Sequence, residues 1–184
     1  AFEQFKRVTG NSTLVNNTWL NEELTKWVIS FSKPGSYTLP PISNAEDKTE
    51  FFQTFSVLAN NGNGLAGWYL WKAKPISNVL LTKQFLYLNK SMPRTLPKDT
   101  IGNATVIESV GWGAMRTGWS ATDTLFGLIS NNTGLGYNHF DQNSFVIGTN
   151  GQWLASDPGY SNFAYDQEWN FKSKVGHNTI LVDW

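Results

Sequence analysis

Trp112-Gly113-Ala114-Met115-Arg116 and Thr124-Leu125-Phe126-Gly127-Leu128-Ile129 are short runs of large apolar residues, bounded by Gly, Ser, Thr and Asp. That combination specifies β-strands closed by tight turns. Runs of the same texture stand on either side: Thr105-Val106-Ile107, Ser144 to Ile147, Trp153 to Ala155 and Thr179 to Val182. No helical periodicity separates them. Successive strands without intervening helices pair as an antiparallel sheet or as half of a sandwich. The sheet is expected beyond about residue 103.

Upstream the pattern changes. Trp19, Leu20, Leu24, Trp27, Val28 and Phe31 recur with a period near 3.6, and Asn17 or Thr18 is available as the N-cap. Pro34-Gly35 ends that helix, and a loop follows from Ser32 to Asn44. A second helix is expected from about Ala45. Glu46 and Asp47 would favour its N-terminal dipole, and Phe51, Phe52, Phe55 and Leu58 would form its buried stripe. Asn60 to Gly64 stops it. Leu65 to Lys74 is apolar nearly all round and reads as a segment packed between neighbours. Ser77 opens a further helical pattern through Leu80, Leu81, Gln84, Phe85 and Leu88, with a strand as the competing reading. The fold class is therefore α+β. A helical segment spans residues 1–95 and an antiparallel sandwich spans 103–184. Ala1 falls inside a helical pattern and Trp184 directly follows a strand-like run, so a truncated piece of a larger parent protein is expected.

Composition narrows the functional classes. Lys plus Arg and Asp plus Glu each total 14 in 184 residues, so the formal net charge is zero. A zero balance argues against a broad footprint for nucleic acid or for an anionic membrane surface. No apolar run approaches the roughly 18 residues of a membrane span. Nine Trp and twelve Phe are incompatible with a disordered chain. Without cysteine, disulfides and thiolate metal sites are excluded.

Few residues can carry chemistry. The two histidines, His139 and His177, both flank predicted strands, and Asp157 lies between them. Two imidazoles and a carboxylate can hold a divalent metal with an open position. Separations of 18 and 20 residues form no local ligand motif, so the three must be joined by neighbouring strands. Two ordinary structural histidines are the alternative. Arg116 could pair bidentately with a sugar carboxylate or form a structural ion pair. Asn138 and Gln142 could bind substrate or satisfy turn backbone groups.

Four blocks resemble one family. Met115-Arg116-Thr117-Gly118-Trp119-Ser120, Gly136 to Phe145, Asp157-Pro158-Gly159-Tyr160, and His177-Asn178-Thr179-Ile180-Leu181-Val182-Asp183 stand in order over some 70 residues. They are similar to the M-R-S-G-W-D, G-H-G-H-x-D-x-x-S-F, D-P-G and H-N-T-v-x-V-D blocks of the heparinase II/III-like polysaccharide lyases. Gly35 to Ile42 is similar to a loop of the helical toroid that precedes the sandwich in that family. The resemblance implies the last helices of an (α/α) toroid followed by a β-sandwich. It implies cleavage of a uronic-acid-containing acidic polysaccharide by β-elimination, in a secreted or periplasmic protein. A uronic acid epimerase of the same architecture, or a catalytically silent glycan-binding sandwich, are the alternatives. By motif position His139, Asp157 and His177 would hold a divalent metal, zinc by family precedent. Tyr137 and Arg116 would serve catalysis, and Asn138, Gln142 and Tyr160 would contact substrate. Tyr137 departs from the family, which has His at that position. The upstream toroid of the parent chain would complete the cleft, and faces left open by its absence would favour self-association.

Overall fold

The computed structural model describes residues 2–42, 46–48, 51–73, 91–130, 142–159 and 176–179. Among the described residues four α-helices come first: α1 (Phe2–Thr9), α2 (Thr25–Phe31), α3 (Phe52–Asn60) and α4 (Gly64–Lys72). A π-helical stretch, Trp19–Leu24, feeds directly into α2. Thr25 Oγ1 donates to the Leu20 carbonyl five residues back, at 3.0 Å. Asn17 is the N-terminal cap, its Oδ1 accepting from the Leu20 amide at 3.1 Å. Five strands follow among the described residues: β1 (Ala104–Ile107), β2 (Trp112–Arg116), β3 (Thr124–Ile129), β4 (Ser144–Thr149) and β5 (Gln152–Ala155). They form one antiparallel meander in sequence order. The fold class is α+β, as the sequence texture indicates.

Helix α2 is the hinge of the packing. Val28, Ile29 and Phe31 are fully buried, which at about 1.5–3 kcal/mol per side chain makes this short helix a major source of stability. Val28 and Ile29 join Leu24, Phe52, Phe55, Leu58, Trp68 and Tyr69 in a helical core. Phe31 points the other way, into a cluster with Ala114 and Leu125 of the sheet. Trp27 stands at the seam. Its ring meets Phe51 edge-on at 6.1 Å and Trp112 at 5.3 Å. Gly127 on β3 makes this approach possible, because a Cβ there would lie 2.9 Å from Phe31 Cε1.

The sheet's two faces differ. Ala114, Arg116, Leu125, Ile129, Ser144 and Val146 face inward and are buried. On the outer face Val106, Met115 and Leu128 are 69, 56 and 40 % exposed. Phe126 and Phe145 stack there at 5.9 Å across the β3–β4 register.

One helix begins later than its acidic signature suggests. Residues 46–48 are not helical, and α3 starts at Phe52. Phe51 sits in the left-handed region at φ 65, which breaks any continuous helix through it. Asp47 turns away to pair with Lys33 Nζ at 2.7 Å, and the Lys48 carbonyl accepts from the Leu39 amide at 3.0 Å. These long-range partners outweigh the local dipole preference. The pattern from Ser77 to Leu88 and the strand residues Ile180 to Val182 lie outside the described residues; Thr179 is not in a strand.

Candidate functional site

The chain leaves β5 at Ala155 and continues beside the start of β4 as Ser156-Asp157-Pro158-Gly159. Asp157 Oδ1 accepts from the Gly159 amide at 3.1 Å, an Asx turn that the proline's fixed φ favours and that Gly159 closes at φ 63. The turn aims Oδ2 inward. There it lies 2.6 Å from His177 Nδ1 and 3.3 Å from Ser144 Oγ, which donates to it. The side chains of Asp157 and His177 have no solvent exposure. Asn178 Nδ2 donates to the Phe145 carbonyl at 3.0 Å and to the Ser156 carbonyl at 3.2 Å. The 176–179 segment is thereby fastened across β4 and the exit of β5.

This geometry has chemical consequences. A buried carboxylate 2.6 Å from an imidazole nitrogen makes a direct bond. With Nδ1 engaged by Asp157, any further bond of the ring runs through Nε2. A carboxylate, an imidazole and a second imidazole are a donor set suited to zinc and similar divalent ions. Asp157 and His177 supply two of those donors side by side. His139 lies outside the described residues, as do Tyr137, Asn138 and Tyr160. Among the described residues no group of three His, Cys, Asp or Glu side chains clusters as a metal site. Gln142 is exposed in the turn that enters β4, two residues before Ser144, and so sits at the same end of the sheet as the pair.

Arg116 is elsewhere. Ser144 pairs across β3 with Ile129 and Trp112, whereas Arg116 is aligned with Leu125 and Gly148. Four residues along the strand separate the two positions by about 13 Å. Its Nη1 donates to the Ser30 carbonyl at 3.0 Å and the Ser32 carbonyl at 2.9 Å, and its Nε to the Gly118 carbonyl at 3.3 Å. The guanidinium carbon lies 4.3 Å from the Trp119 ring centre. Arg116 thus closes the C-terminus of α2, where carbonyls lack intrahelical partners and positive charge is favoured. The ion-pair form of the structural reading is replaced by carbonyl capping. Burial pushes the guanidinium down to about 10, still protonated at neutral pH.

Ser144 is the partner that sequence reasoning passed over. It stands inside the Gly136 to Phe145 block, but a short hydroxyl there carries no signal of its own until β4 is aligned with Asp157.

No family model matches the sequence, and no curated protein matches it. Solved structures do match. A heparinase III structure aligns over 98 % of this chain at 18 % identity and a TM-score of 0.59, with 29 % of its own length covered. A heparinase III with methylated lysines aligns over 97 % at 18 % identity and a TM-score of 0.64, with 26 % of its length covered. A heparan sulfate lyase from Pedobacter heparinus aligns over 78 % at 18 % identity and a TM-score of 0.53, with 21 % of its length covered. The chain therefore shares the fold of heparinase III structures, and it spans less than a third of each.

Proposed function

We propose that this chain is part of a polysaccharide lyase that cleaves uronic-acid-containing glycans by β-elimination. The observation that carries the reading is the buried Asp157–His177 pair. It stands at the D-P-G and H-N-T positions of the lyase motif, inside a fold shared with heparinase III structures. In such a reaction a base takes the proton at C5, next to the sugar carboxylate. The electron pair forms the C4–C5 double bond, the C4–O bond breaks, and the departing oxygen takes up a proton. Success depends on fixed groups that neutralise the carboxylate as charge develops. Tyr137 is the proposed proton-transfer residue, and Asn138, Gln142 and Tyr160 the proposed sugar contacts. A divalent ion, zinc by preference, would be held by His139, Asp157 and His177; when bound it supplies positive charge and a tie between segments. Ser144 and Asn178 orient the Asp157 and His177 side of that set. A secreted or periplasmic location suits a polymeric acidic substrate.

A second reading is a silent glycan-binding sandwich. It is favoured by Tyr137 at a position where the family has His, and by the engagement of Arg116 with backbone carbonyls. Incubation with heparan sulfate, chondroitin sulfate and alginate separates the two. An ultraviolet absorbance rise from an unsaturated uronate supports the lyase. Binding of these glycans without any rise supports the silent sandwich and defeats the lyase.

A further inference from the structure

Helix α4 buries six residues in succession, Leu65 to Leu70, and then surfaces at Trp71, which is 58 % exposed. Its surroundings are built by the helix itself. Gly64, Gly67 and Trp71 are spaced three and four apart and share one face of α4. Over the two glycines lies the extended segment Pro93–Thr95. A Cβ on Gly67 would come within 2.1 Å of the Pro93 carbonyl oxygen, and one on Gly64 within 2.1 Å of Thr95 Oγ1. The Thr95 amide donates to the Gly64 carbonyl at 2.9 Å. That close crossing delivers Arg94 to the Trp71 ring, its guanidinium carbon 5.3 Å from the centre. Lys72 Nζ lies 4.6 Å from the same centre. Among the described residues, neither Lys72 nor Arg94 is paired with a carboxylate. Both cations lie over the one indole, and an anion that reached them would add a charge-assisted contact that the ring alone does not give.

We infer that Trp71, Lys72 and Arg94 form a binding subsite for an acidic sugar unit. The uronate carboxylate or a sulfate is held by the two cations, and the apolar edge of the sugar ring rests against the exposed part of the indole. The charge calls for an anion, and the exposed aromatic plate calls for a ring with an apolar edge. An acidic saccharide has both. The inference rests on the acidic-glycan reading above, but it does not require elimination chemistry.

The test uses a heparin hexasaccharide as probe, a neutral maltohexaose and inorganic polyphosphate as controls, and titration by calorimetry. Trp71→Ala and the double variant Lys72→Gln with Arg94→Gln are compared with the unmodified protein. All three positions lie at the surface, and unchanged thermal melting verifies that the variants fold. Each variant should weaken hexasaccharide binding about tenfold. Added salt should abolish most of the difference for the double variant and little of it for Trp71→Ala. Polyphosphate binding should fall in the double variant and be unaffected by Trp71→Ala. Hexasaccharide binding that is absent, equal in all three proteins, or matched by maltohexaose overturns the subsite. A loss of polyphosphate binding in Trp71→Ala equal to that of the hexasaccharide also overturns it. Elimination is scored separately on polymeric substrate. Turnover with an unchanged KM in Trp71→Ala would remove the subsite and leave the lyase. Tryptophan-dependent binding with no turnover would leave the subsite and remove the lyase.

Discussion

Asp157 Oδ2 lies 2.6 Å from His177 Nδ1, joining residues 20 apart in sequence with neither side chain exposed to solvent. The pair locks the 176–179 segment to the exit of β5, and Ser144 on β4 adds a second bond to the same carboxylate oxygen at 3.3 Å. Asp157→Ala should therefore destabilise the fold by about 2–3 kcal/mol, the range for a hydrogen bond to a charged group with its partner left buried. Denaturant unfolding reads this directly. A loss below half a kcal/mol would show that the pair contributes no structural tie.

Arg116 makes a sharper case because two roles predict different outcomes. Its three bonds to the carbonyls of Ser30, Ser32 and Gly118 make Arg116→Ala costly by about 3 kcal/mol. Arg116→Lys should recover less than half, since one ammonium cannot reproduce the fork. A variant that melts like the parent but loses only activity would move Arg116 from the fold to the substrate.

Lys33 and Asp47 tether the loop after α2, with Nζ to Oδ2 at 2.7 Å and the lysine lying 5.1 Å from the Trp153 ring centre. Partial burial works against the Asp47 charge, but hydrogen bonds from Lys33, Thr38 and Trp153 and the charge of Lys33 together outweigh it and hold the carboxyl below the usual aspartate value. A depressed value means the contribution is full above the unfolded carboxyl's pKa of about 4 and is lost as pH falls through the lower folded value. Asp47 is 38 % exposed on its side chain, so the effect is small, about 1 kcal/mol at most. Asp47→Asn should lower stability at pH 7 and leave it unchanged near pH 2. Equal losses at both pH values would contradict the assignment.

Metal content gives an independent check on the proposed ligand set. Purified protein loaded with zinc should bind one equivalent, and His139→Ala, Asp157→Ala and His177→Ala should each reduce retention at least tenfold. Chelation should lower the melting temperature of the loaded protein, because an ion bound only by the folded state stabilises it. Unchanged melting in a sample shown to lose its metal would remove the structural role.

The sheet was legible because its strands are short and sharply bounded. Trp112 to Arg116 and Thr124 to Ile129 begin and end where Gly, Ser, Thr and Asp interrupt them, and β2 and β3 occupy the same residues. The start of α3 was not legible. Glu46 and Asp47 carry the local signature of a helix N-terminus, but Lys33, fourteen residues earlier, claims Asp47. Asp157 and His177 meet, which motif position suggested; the carbonyl partners of Arg116 could not be read, since Ser30 and Ser32 lie more than eighty residues away. The Trp71, Lys72 and Arg94 cluster was equally hidden. It exists because two glycines let a distant segment cross α4, and no local window contains that information.

The most direct test of the central claim is the structure of the product ends. A defined uronic-acid oligosaccharide is incubated with the protein and with Asp157→Ala/His177→Ala, and the products are weighed by mass spectrometry. β-Elimination leaves one product with an unsaturated non-reducing end, lighter by one water than the product of hydrolysis. The account predicts that lighter product from the unmodified protein and at least a hundredfold less of it from the double variant. A saturated product, no cleavage by a folded protein that binds the oligosaccharide, or equal cleavage by the double variant would contradict it.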